Sequence, residues 1–247
     1  MQPSNIQPIV NENVLFIKDK KLLVIADLHI GIETELREMG LQAPSQTESM
    51  TKRLISFFKM YDPKEIILLG DIKHNIPSST IQERIDVKRF LENIQQYGST
   101  HILPGNHDGN ISKLLTPDIL LHPSSGFVYE NIGFVHGHRW PSDEIMQCEH
   151  IVIGHTHPII MLTDRLGYKT FEPCWLKGQF IKDNIKERYP DSTNPNIIVM
   201  PAFNPLCGGI AINKEPFIGP FGKIVDITNA EVYLLDGSYL GKVKDIK

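Results

Sequence analysis

The sequence predicts an α/β protein made of two mixed β-sheets that pack face to face, with helices on the outside. In the first half, short apolar runs alternate with helical patterns, which predicts a strand–helix–strand–helix–strand order with parallel pairing. In the second half, short apolar runs are separated by turn residues and few helical patterns occur, which predicts a β-rich region. Polar residues of metal-binding types follow several of these runs directly, which predicts a site at one sheet edge.

The first half opens with a predicted hairpin. Its strands, Val14–Ile17 and Leu22–Ala26, flank the turn Lys18–Lys21. A helix is predicted over Thr47–Tyr61, because apolar residues recur there at helical spacing and Pro63 lies just beyond.

A second helix is predicted to begin at Thr80, where Glu83 three residues later completes a capping box. The strands Glu65–Leu69 and His101–Pro104 flank this helix in the chain, and Gly98 closes it. Its predicted buried stripe consists of Val87, Phe90, Leu91 and Ile94.

Hairpins dominate the predicted second half. One joins Phe127–Glu130 to Gly133–His136, and another joins Ile159–Thr163 to Tyr168–Glu172. The segment Leu176–Asn196 is charged, contains two prolines, and is predicted to hold a short helix followed by a loop. The remaining predicted strands are His150–Ile153, Ile197–Met200, Lys223–Ile227 and Val232–Leu235.

The composition is that of an ordinary soluble globular protein, with 41% hydrophobic and 22% charged residues. We predict a single domain over residues 1–247. The formal net charge of −4 argues against a generally basic nucleic-acid binder but not against a local basic groove. The polar segment Met1–Pro8 lacks a signal-peptide core, and no apolar run approaches the roughly 18 residues of a membrane span. Together with three widely spaced cysteines, Cys148, Cys174 and Cys207, this predicts a cytoplasmic protein.

Five motifs of metal-binding residue types follow the apolar runs. They are Asp27-Leu28-His29, Gly70-Asp71, Gly105-Asn106-His107-Asp108, His136-Gly137-His138 and Gly154-His155-Thr156-His157. Because strand ends meet at one edge of an open α/β sheet, we expect one shared site. Carboxylates, imidazoles and one carboxamide are the donor types of a two-metal hydrolase.

Each of the first three motifs has an ordinary structural alternative. Asp27 and His29 could simply cap a strand, although strand alternation would put both side chains on one side. Gly70-Asp71 and the Asn-containing motif could both be turns. A turn needs no His-Asp after it, however. His107 can donate a proton, and Asp108 could orient that imidazole.

The pair His155 and His157 is the strongest single motif. Two imidazoles at positions i and i+2 near a strand end diverge little, so each can reach a different metal. Histidine is costly to bury unpaired, which makes packing alone an unusual role for such a pair. We expect His136 to be a ligand, and His138 to support it or to face the substrate. Structural or surface roles are expected for His101, His122 and His150.

Taken together, the motifs resemble those of the calcineurin-like metallophosphoesterase superfamily, whose pattern is DxH, GD, GNH(D/E), H and GHxH in this order. The resemblance covers Asp27 to His157 and implies a four-layer α/β/β/α sandwich with a two-metal site at its top edge. It implies that His107 is the general acid or transition-state stabiliser, oriented by Asp108. The implied ligands are Asp27, His29, Asp71 and His157 for one metal, and Asp71, Asn106, His136 and His155 for the other, with Asp71 bridging.

Finer motifs resemble the ICC-like, SbcD-related subgroup of phosphoesterases. They are residues 70–74, residues 154–158, and residues 201–205 with 235–237. Bacterial members of that subgroup are manganese-dependent DNA phosphodiesterases or endonucleases. The resemblance therefore implies two divalent ions, Mn²⁺ before Fe²⁺, Zn²⁺ or Ni²⁺, and a phosphodiester substrate, with single-stranded DNA as one candidate.

Lys73 and His74 stand where many superfamily members carry an Arg or Asp that grips the phosphate. Lys73 offers a point charge without the fork of arginine, and His74 could contact a phosphate or a water. The alternative for both is a solvated loop before Pro77.

Basic residues outside the motifs could contact a nucleic-acid backbone, although such runs are usually solvated surface. They are Lys18, Lys20, Lys21, Lys177, Lys182, Lys186 and Arg188. Trp140 and Trp175 could stack on bases, or pack within the protein.

Two other functions stay open from the sequence. A small nucleotide or another small phosphoester would need no nucleic-acid groove. A non-catalytic scaffold on the same fold would recruit protein partners, but such proteins typically lose metal ligands, and every expected ligand is present in this chain. The sequence predicts no particular oligomeric state.

Overall fold

A computed structural model of the chain describes residues 5–246, so the first four residues of the polar segment Met1–Pro8 lie outside the described part. The helices are α1 Ile32–Glu38, α2 Thr47–Tyr61, α3 Ile81–Ile94 and α4 Lys182–Lys186. The strands are β1 Ile6–Pro8, β2 Leu15–Ile17, β3 Leu22–Ala26, β4 Glu65–Leu69, β5 Ser99–Leu103, β6 Leu120–Leu121, β7 Phe127–Tyr129, β8 Ile132–Phe134, β9 His150–Ile153, β10 Pro158–Thr163, β11 Lys169–Gln179, β12 Asn196–Val199, β13 Ile210–Ala211, β14 Glu231–Leu234 and β15 Tyr239–Lys242. None of the helices in residues 5–246 combines the length and the apolar character that a membrane crossing requires.

The first sheet contains β1 to β6 in sequence order. β1, β2 and β3 pair antiparallel, whereas β3, β4, β5 and β6 pair parallel. Parallel neighbours require crossover connections, which α1 and α2 supply between β3 and β4, and α3 supplies between β4 and β5. The carboxyl ends of β3, β4 and β5 therefore share one edge, and the first three motifs follow these ends.

The second sheet has nine strands, ordered β13-β10-β11-β12-β9-β8-β7, with β14 and β15 continuing from β11. β8, β9 and β12 run parallel, while β11 pairs antiparallel with β10, β12 and β14. The last two motifs follow the carboxyl ends of β8 and β9.

The core consists of three clusters of buried apolar side chains, and successive residues of a strand point into different clusters. In β3, Leu23 and Ile25 pack with the residues of α2 and α3, whereas Leu22, Val24 and Ala26 pack with residues of the second sheet. The outer face of the second sheet is covered by α4 and short 3-10 turns. The predicted four-layer arrangement of two mixed sheets is confirmed, and its fourth layer is thin.

Two local predictions are wrong. The segment Lys223–Ile227 is not a strand, because Val225 donates its N–H to the carbonyl of Phe221 at 2.8 Å within a turn. Leu176–Gln179 belongs to β11 rather than to a helix or loop, because its backbone pairs with β12, and Leu176 and Lys177 also pair with β14. The short helix α1 was not predicted from the sequence.

The predicted capping box at the start of α3 is confirmed. The Thr80 hydroxyl accepts from the N–H of Glu83 at 3.1 Å, and the Glu83 carboxylate accepts from the N–H of Thr80 at 3.2 Å. Glu83 Oε1 also accepts from the N–H groups of His74 and Asn75, at 2.7 and 2.8 Å. The cap therefore ties α3 to the loop that follows Asp71.

We expect Thr80→Ala to lower the free energy of unfolding by about 1 kcal/mol, because the Glu83 N–H loses its acceptor. Turnover should stay unchanged, because Glu83 keeps its bonds to the loop. Urea unfolding followed by circular dichroism measures the effect. As a control, Ser56→Ala on α2 removes a hydroxyl that bonds to the Arg53 carbonyl and caps no helix end. An equal loss in both variants would contradict the capping role.

Candidate metal centre

The predicted ligands come together at the edge where the two sheets end. A cavity of about 430 Å³ opens there, and its lining includes His29, Asp71, Asn106, His107, His155, Thr156 and His157. Asp27 and His136 are fully buried, and His136 Nε2 contacts Asp27 Oδ1.

The donor atoms form overlapping clusters, in each of which all atoms lie within 4.8 Å of one another. These clusters are Asp27–His29–Asp71, Asp71–His136–His155, His29–His157–Cys207 and His29–His74–His107. Asp71 is common to the first two. A carboxylate shared between two adjacent donor groups is the arrangement that a pair of ions requires.

Most of the predicted ligands have an unusual backbone conformation. The φ angle is positive at Asp27 (57°), His29 (40°), Asp71 (46°), His155 (67°) and His157 (45°). Left-handed backbone is uncommon for residues other than glycine and clusters at functional sites. The expectation that strand alternation aligns Asp27 with His29 is therefore wrong. β3 ends at Ala26, and the loop conformation aims both side chains.

Two motif glycines leave space for the carboxylates. A Cβ atom at Gly105 would collide with Asp71 Oδ1, and one at Gly154 would lie 2.6 Å from Asp27 Oδ2. Any larger residue at either position would therefore displace a predicted ligand.

Unsatisfied ring nitrogens show that the residues fit a metal. His29 Nδ1 lies 3.0 Å from His74 Nδ1, and His157 Nδ1 donates to the carbonyl of Gly208 at 3.0 Å. The Nε2 atoms of both rings are buried and have no hydrogen bond within the described residues. His157 Nε2 lies 3.3 Å from Asp27 Oδ1, but without hydrogen-bond geometry. Two buried imidazole nitrogens beside carboxylates are the donor set of a divalent transition metal.

The electrostatics of His29, His155 and Asp71 favour a bound cation, whereas at His157, despite burial, the charge of Asp27 raises the pKa to about 8, so a cation would displace a proton there. Burial lowers the pKa of His29 to about 2 and that of His155 to about 4, so both rings are neutral near pH 7 and offer a lone pair. Burial, and then the charge of Asp27, raise the pKa of Asp71. A cation between the two buried carboxylates would offset their repulsion.

His136 is held on both sides of its ring. Nε2 lies 2.9 Å from Asp27 Oδ1 and 3.5 Å from Asp71 Oδ2, and Nδ1 lies 3.0 Å from His138 Nδ1. His138 is thus placed to support the predicted ligand, which is the first of its two expected roles.

His74 and Lys73 do not line the cavity of the metal centre. Both ring nitrogens of His74 are engaged, Nδ1 by His29 and Nε2 by Glu35. Lys73 is only 1% exposed, and its Nζ donates to the carbonyl of Asn75 at 2.7 Å. The structure corrects both the expected phosphate contact and the solvated-loop alternative for Lys73. His74 instead orients His29.

The expected pairing of Asp108 with the His107 imidazole is corrected as well. His107 Nδ1 donates to the carbonyl of His74, and the His107 backbone N–H donates to Asp71 Oδ1 at 2.8 Å. The buried Asp108 carboxylate accepts backbone N–H bonds that fix the loops around the site. Their donors are Ile72 at 2.9 Å, Lys73 at 3.2 Å and Gly105 at 2.8 Å.

Most of the basic residues predicted from sequence lie elsewhere. The turn Lys18–Lys21 precedes β3 and is therefore at the end of that strand opposite to Asp27, and Lys21 pairs with Asp62 at 2.8 Å. Lys182 and Lys186 belong to α4. Trp175 is fully buried between the sheets, which excludes base stacking, and the Arg188 guanidinium lies 4.4 Å over the Trp140 ring.

The loop that follows β12 contains the subgroup motif of residues 201–205, but no role at the site was predicted for Asn204 or Cys207. Asn204 is buried, its side-chain amide donates to the carbonyl of Leu28 at 2.8 Å, and its own carbonyl accepts from the N–H of Cys207 at 3.1 Å. This loop brings the Cys207 thiol to the donors of His29 and His157. Its position after a parallel strand at the same sheet edge was the available signal.

The sequence model of the calcineurin-like phosphoesterase family matches residues 20–200. The chain belongs to the calcineurin-like phosphoesterase family. This calcineurin-like phosphoesterase is accordingly a metal-dependent phosphoester hydrolase. No curated protein matches its sequence.

The solved structures that resemble this phosphoesterase include two phosphoesterase-fold enzymes. The nuclease MPE of Pseudomonas putida is 20% identical with a TM-score of 0.58, over 94% of this chain and 97% of that chain. Yfce, a phosphoesterase from E. coli, is 16% identical with a TM-score of 0.39, over 90% of this chain and 97% of that chain. The likeness to the Pseudomonas putida nuclease supports the fold of two packed mixed sheets described above.

Proposed function

We propose that this phosphoesterase hydrolyses phosphodiester bonds in DNA with two divalent ions, and that Mn²⁺ serves as the metal. The observation that carries the two-metal part of the proposal is the sharing of Asp71 by two donor clusters. Ions bound there would lower the pKa of a water molecule and neutralise charge on the phosphoryl oxygens. Asn106, exposed on the wall of the cavity that Asp71 and His155 also line, offers a neutral amide oxygen to the second ion.

His107 is positioned for proton transfer to the leaving group. The bond from Nδ1 to the His74 carbonyl leaves Nε2 as the atom free to hold and release a proton. The backbone bond from His107 to Asp71 Oδ1 keeps the ring next to the shared carboxylate. Proton donation to the departing oxygen is the step that this geometry supports.

A cavity of about 310 Å³ beside the His107 loop supports a polymeric substrate. We name it the cationic cavity. It is lined by Pro77, Ser78, Ser79, Arg84, Lys88, Gly109, Asn110, Lys113 and Leu114. Gly109 is two residues from His107, so their Cα atoms lie at most about 8 Å apart. One wall of the cationic cavity therefore lies within about 8 Å of the His107 Cα atom, close enough for one strand to reach both sites.

The charges of the cationic cavity are unpaired. Arg84 and Lys88 are four residues apart on α3, where like charges repel, and Lys113 faces the same space. Within residues 5–246, none of the three forms an ion pair, and no carboxylate lines the cavity. Each strand of DNA carries one negative charge per phosphate, so phosphates next to the scissile one would offset this repulsion.

The proposal is tested by hydrolysis of p-nitrophenyl phosphate, bis(p-nitrophenyl) phosphate and single-stranded DNA with Mn²⁺, and again after chelation by EDTA. We expect cleavage of the diester and of DNA, and its loss in EDTA. Activity confined to the monoester would overturn the diesterase assignment. Cleavage of small diesters without DNA would favour the small-nucleotide alternative.

We expect the double variant Arg84→Ala/Lys113→Ala to raise KM for single-stranded DNA about tenfold, because two phosphate contacts are lost. The dependence of KM on salt should become shallower, while kinetics on bis(p-nitrophenyl) phosphate stay within about twofold. Arg89→Ala is the matched control, because Arg89 lies on α3 but lines a different cavity. Equal effects on both substrates would contradict the role of the cationic cavity.

A further inference from the structure

Cys207 is a donor in the metal centre that the family's motif pattern does not include. We propose that the Cys207 thiolate is a further ligand of the ion held by Asp27, His29, Asp71 and His157, and that it makes this position select a thiophilic ion. The inference rests on the two-metal function proposed above. It implies that the two positions differ in metal preference: the position beside Cys207 would bind Zn²⁺ or Fe²⁺ more tightly than Mn²⁺, whereas the other position would not.

Three donor groups lie near one another beside Asp27. The donor atoms of His29, His157 and Cys207 all lie within 4.8 Å of one another. Two donors bonded to one zinc ion, with a Zn–S bond near 2.3 Å and Zn–N bonds near 2.0–2.1 Å, are about 3.6 Å apart or less at angles up to the tetrahedral one. Binding of one ion would therefore draw the three donors together by at most about 1.4 Å.

Two ring nitrogens and the sulfur lack a strong hydrogen bond in the described structure, although His157 Nε2 lies 3.3 Å from Asp27 Oδ1 and His29 Nε2 lies 3.6 Å from Asp71 Oδ2. The Nε2 atoms of His29 and His157 are buried without a hydrogen bond, although their Nδ1 atoms are engaged. The Cys207 thiol contacts the carbonyl of Asp27 at 3.9 Å, which is a weak hydrogen bond at best. A single ion would satisfy both nitrogens and the sulfur.

Hydrogen bonds on both sides fix the position of Cys207. Asn204 bonds to Leu28 in the loop that carries Asp27 and His29, and it also accepts from the Cys207 N–H. On the other side, the Gly208 carbonyl accepts from His157 Nδ1. One loop therefore presents the Cys207 sulfur and also orients His157, a ligand of the same ion. Specific hydrogen bonds, rather than incidental packing, thus determine where the sulfur lies.

Coordination would replace the thiol proton. The S–H bond breaks, the proton passes to solvent, and the sulfur donates its electron pair to the ion. Soft thiolate donors favour zinc and iron(II), whereas carboxylate, amide and imidazole donors accept Mn²⁺. The cluster of Asp71, His136 and His155, with Asn106 beside it, has only oxygen and nitrogen donors. The two positions thus differ chemically.

Titration of the metal-free protein with Co²⁺ tests the proposal without an activity assay. Visible absorption of cobalt reports occupancy, and a thiolate-to-cobalt charge-transfer band in the near ultraviolet reports a sulfur ligand. We expect the wild-type protein to bind two ions and to show the band. Cys207→Ser should lose the band and bind Zn²⁺ at least about tenfold more weakly, with a smaller change for Mn²⁺.

Cys148→Ser is the matched control, because Cys148 is a buried thiol bonded to the Glu144 carbonyl and is no member of the donor clusters. It should keep the band. Two bound cobalt ions without the band in the wild-type protein would overturn the Cys207 proposal and leave the metal centre intact. A band that persists in Cys207→Ser would also overturn it. Failure of the wild-type protein to bind cobalt would refute the two-metal function itself.

Discussion

Replacement of Asp71 by asparagine is expected to remove both metals and to lower turnover at least about 100-fold. Asp71 belongs to two donor clusters, and an amide offers one neutral oxygen where the carboxylate offers two charged ones. In other metal sites, loss of a residue that only orients a ligand lowers metal affinity or activity about 10–100-fold. Loss of a ligand shared by two ions should cost at least as much as the upper end of that range. Elemental analysis after dialysis should find less than one ion per chain.

The same substitution should not weaken the metal-free fold. Burial and Asp27 raise the pKa of Asp71, so the ionised carboxylate is less stable in the folded chain than in the unfolded one. This penalty acts at pH values above the ordinary carboxyl pKa, and asparagine removes it. The oxygen that accepts from the His107 N–H can be kept. In EDTA, we therefore expect Tm of Asp71→Asn to equal or exceed that of the wild-type protein, and with metal the order should reverse.

Glu65→Gln is the matched control. Glu65 begins the strand that Asp71 follows, and its carboxylate bonds to His101 and Tyr129 at the opposite end of β4. The control should retain two ions and full turnover. Retention of two fully occupied ions by Asp71→Asn would contradict the shared role of this carboxylate.

The location of the site could be predicted from sequence because strand order determines it. Apolar runs that alternate with helices force parallel pairing, so residues after Ala26, Leu69 and Leu103 must meet at one edge. Burial on both faces makes β3 and β4 continuous apolar runs that are easy to recognise. The two mixed sheets and the four layers follow from the same pattern.

The orientation of individual side chains could not be predicted, because it depends on loops. Asp108 lies next to His107 in the chain, yet its carboxylate binds three backbone N–H groups, and a backbone carbonyl holds the imidazole. From the sequence, Lys73 looks like a residue of a solvated surface loop. In the structure its side chain is buried, and its ammonium group donates a hydrogen bond to the Asn75 carbonyl. Residue spacing carries no information on left-handed backbone at Asp27 or His29, and this backbone aims their side chains.

Conversion of His107 to alanine is expected to leave both metals bound and to lower kcat on single-stranded DNA by about 10²–10⁴-fold. The substitution removes the only imidazole of the GNHD motif, while the backbone bond from residue 107 to Asp71 remains available. Elemental analysis should therefore find wild-type metal content. The loss should fall on kcat rather than on KM, because proton donation assists the transition state rather than substrate binding.

A comparison of substrates with different leaving groups distinguishes proton donation by His107 from a structural role of this residue. A nitrophenolate departs without protonation, whereas the alkoxide of a DNA strand needs a proton, so the loss in His107→Ala should be much smaller on bis(p-nitrophenyl) phosphate. His150→Ala is a matched control, because His150 begins β9 at the end opposite to the site and should change neither rate. An equal loss on both substrates would assign His107 to positioning, and loss of bound metal would show that the ring supports the ligands instead.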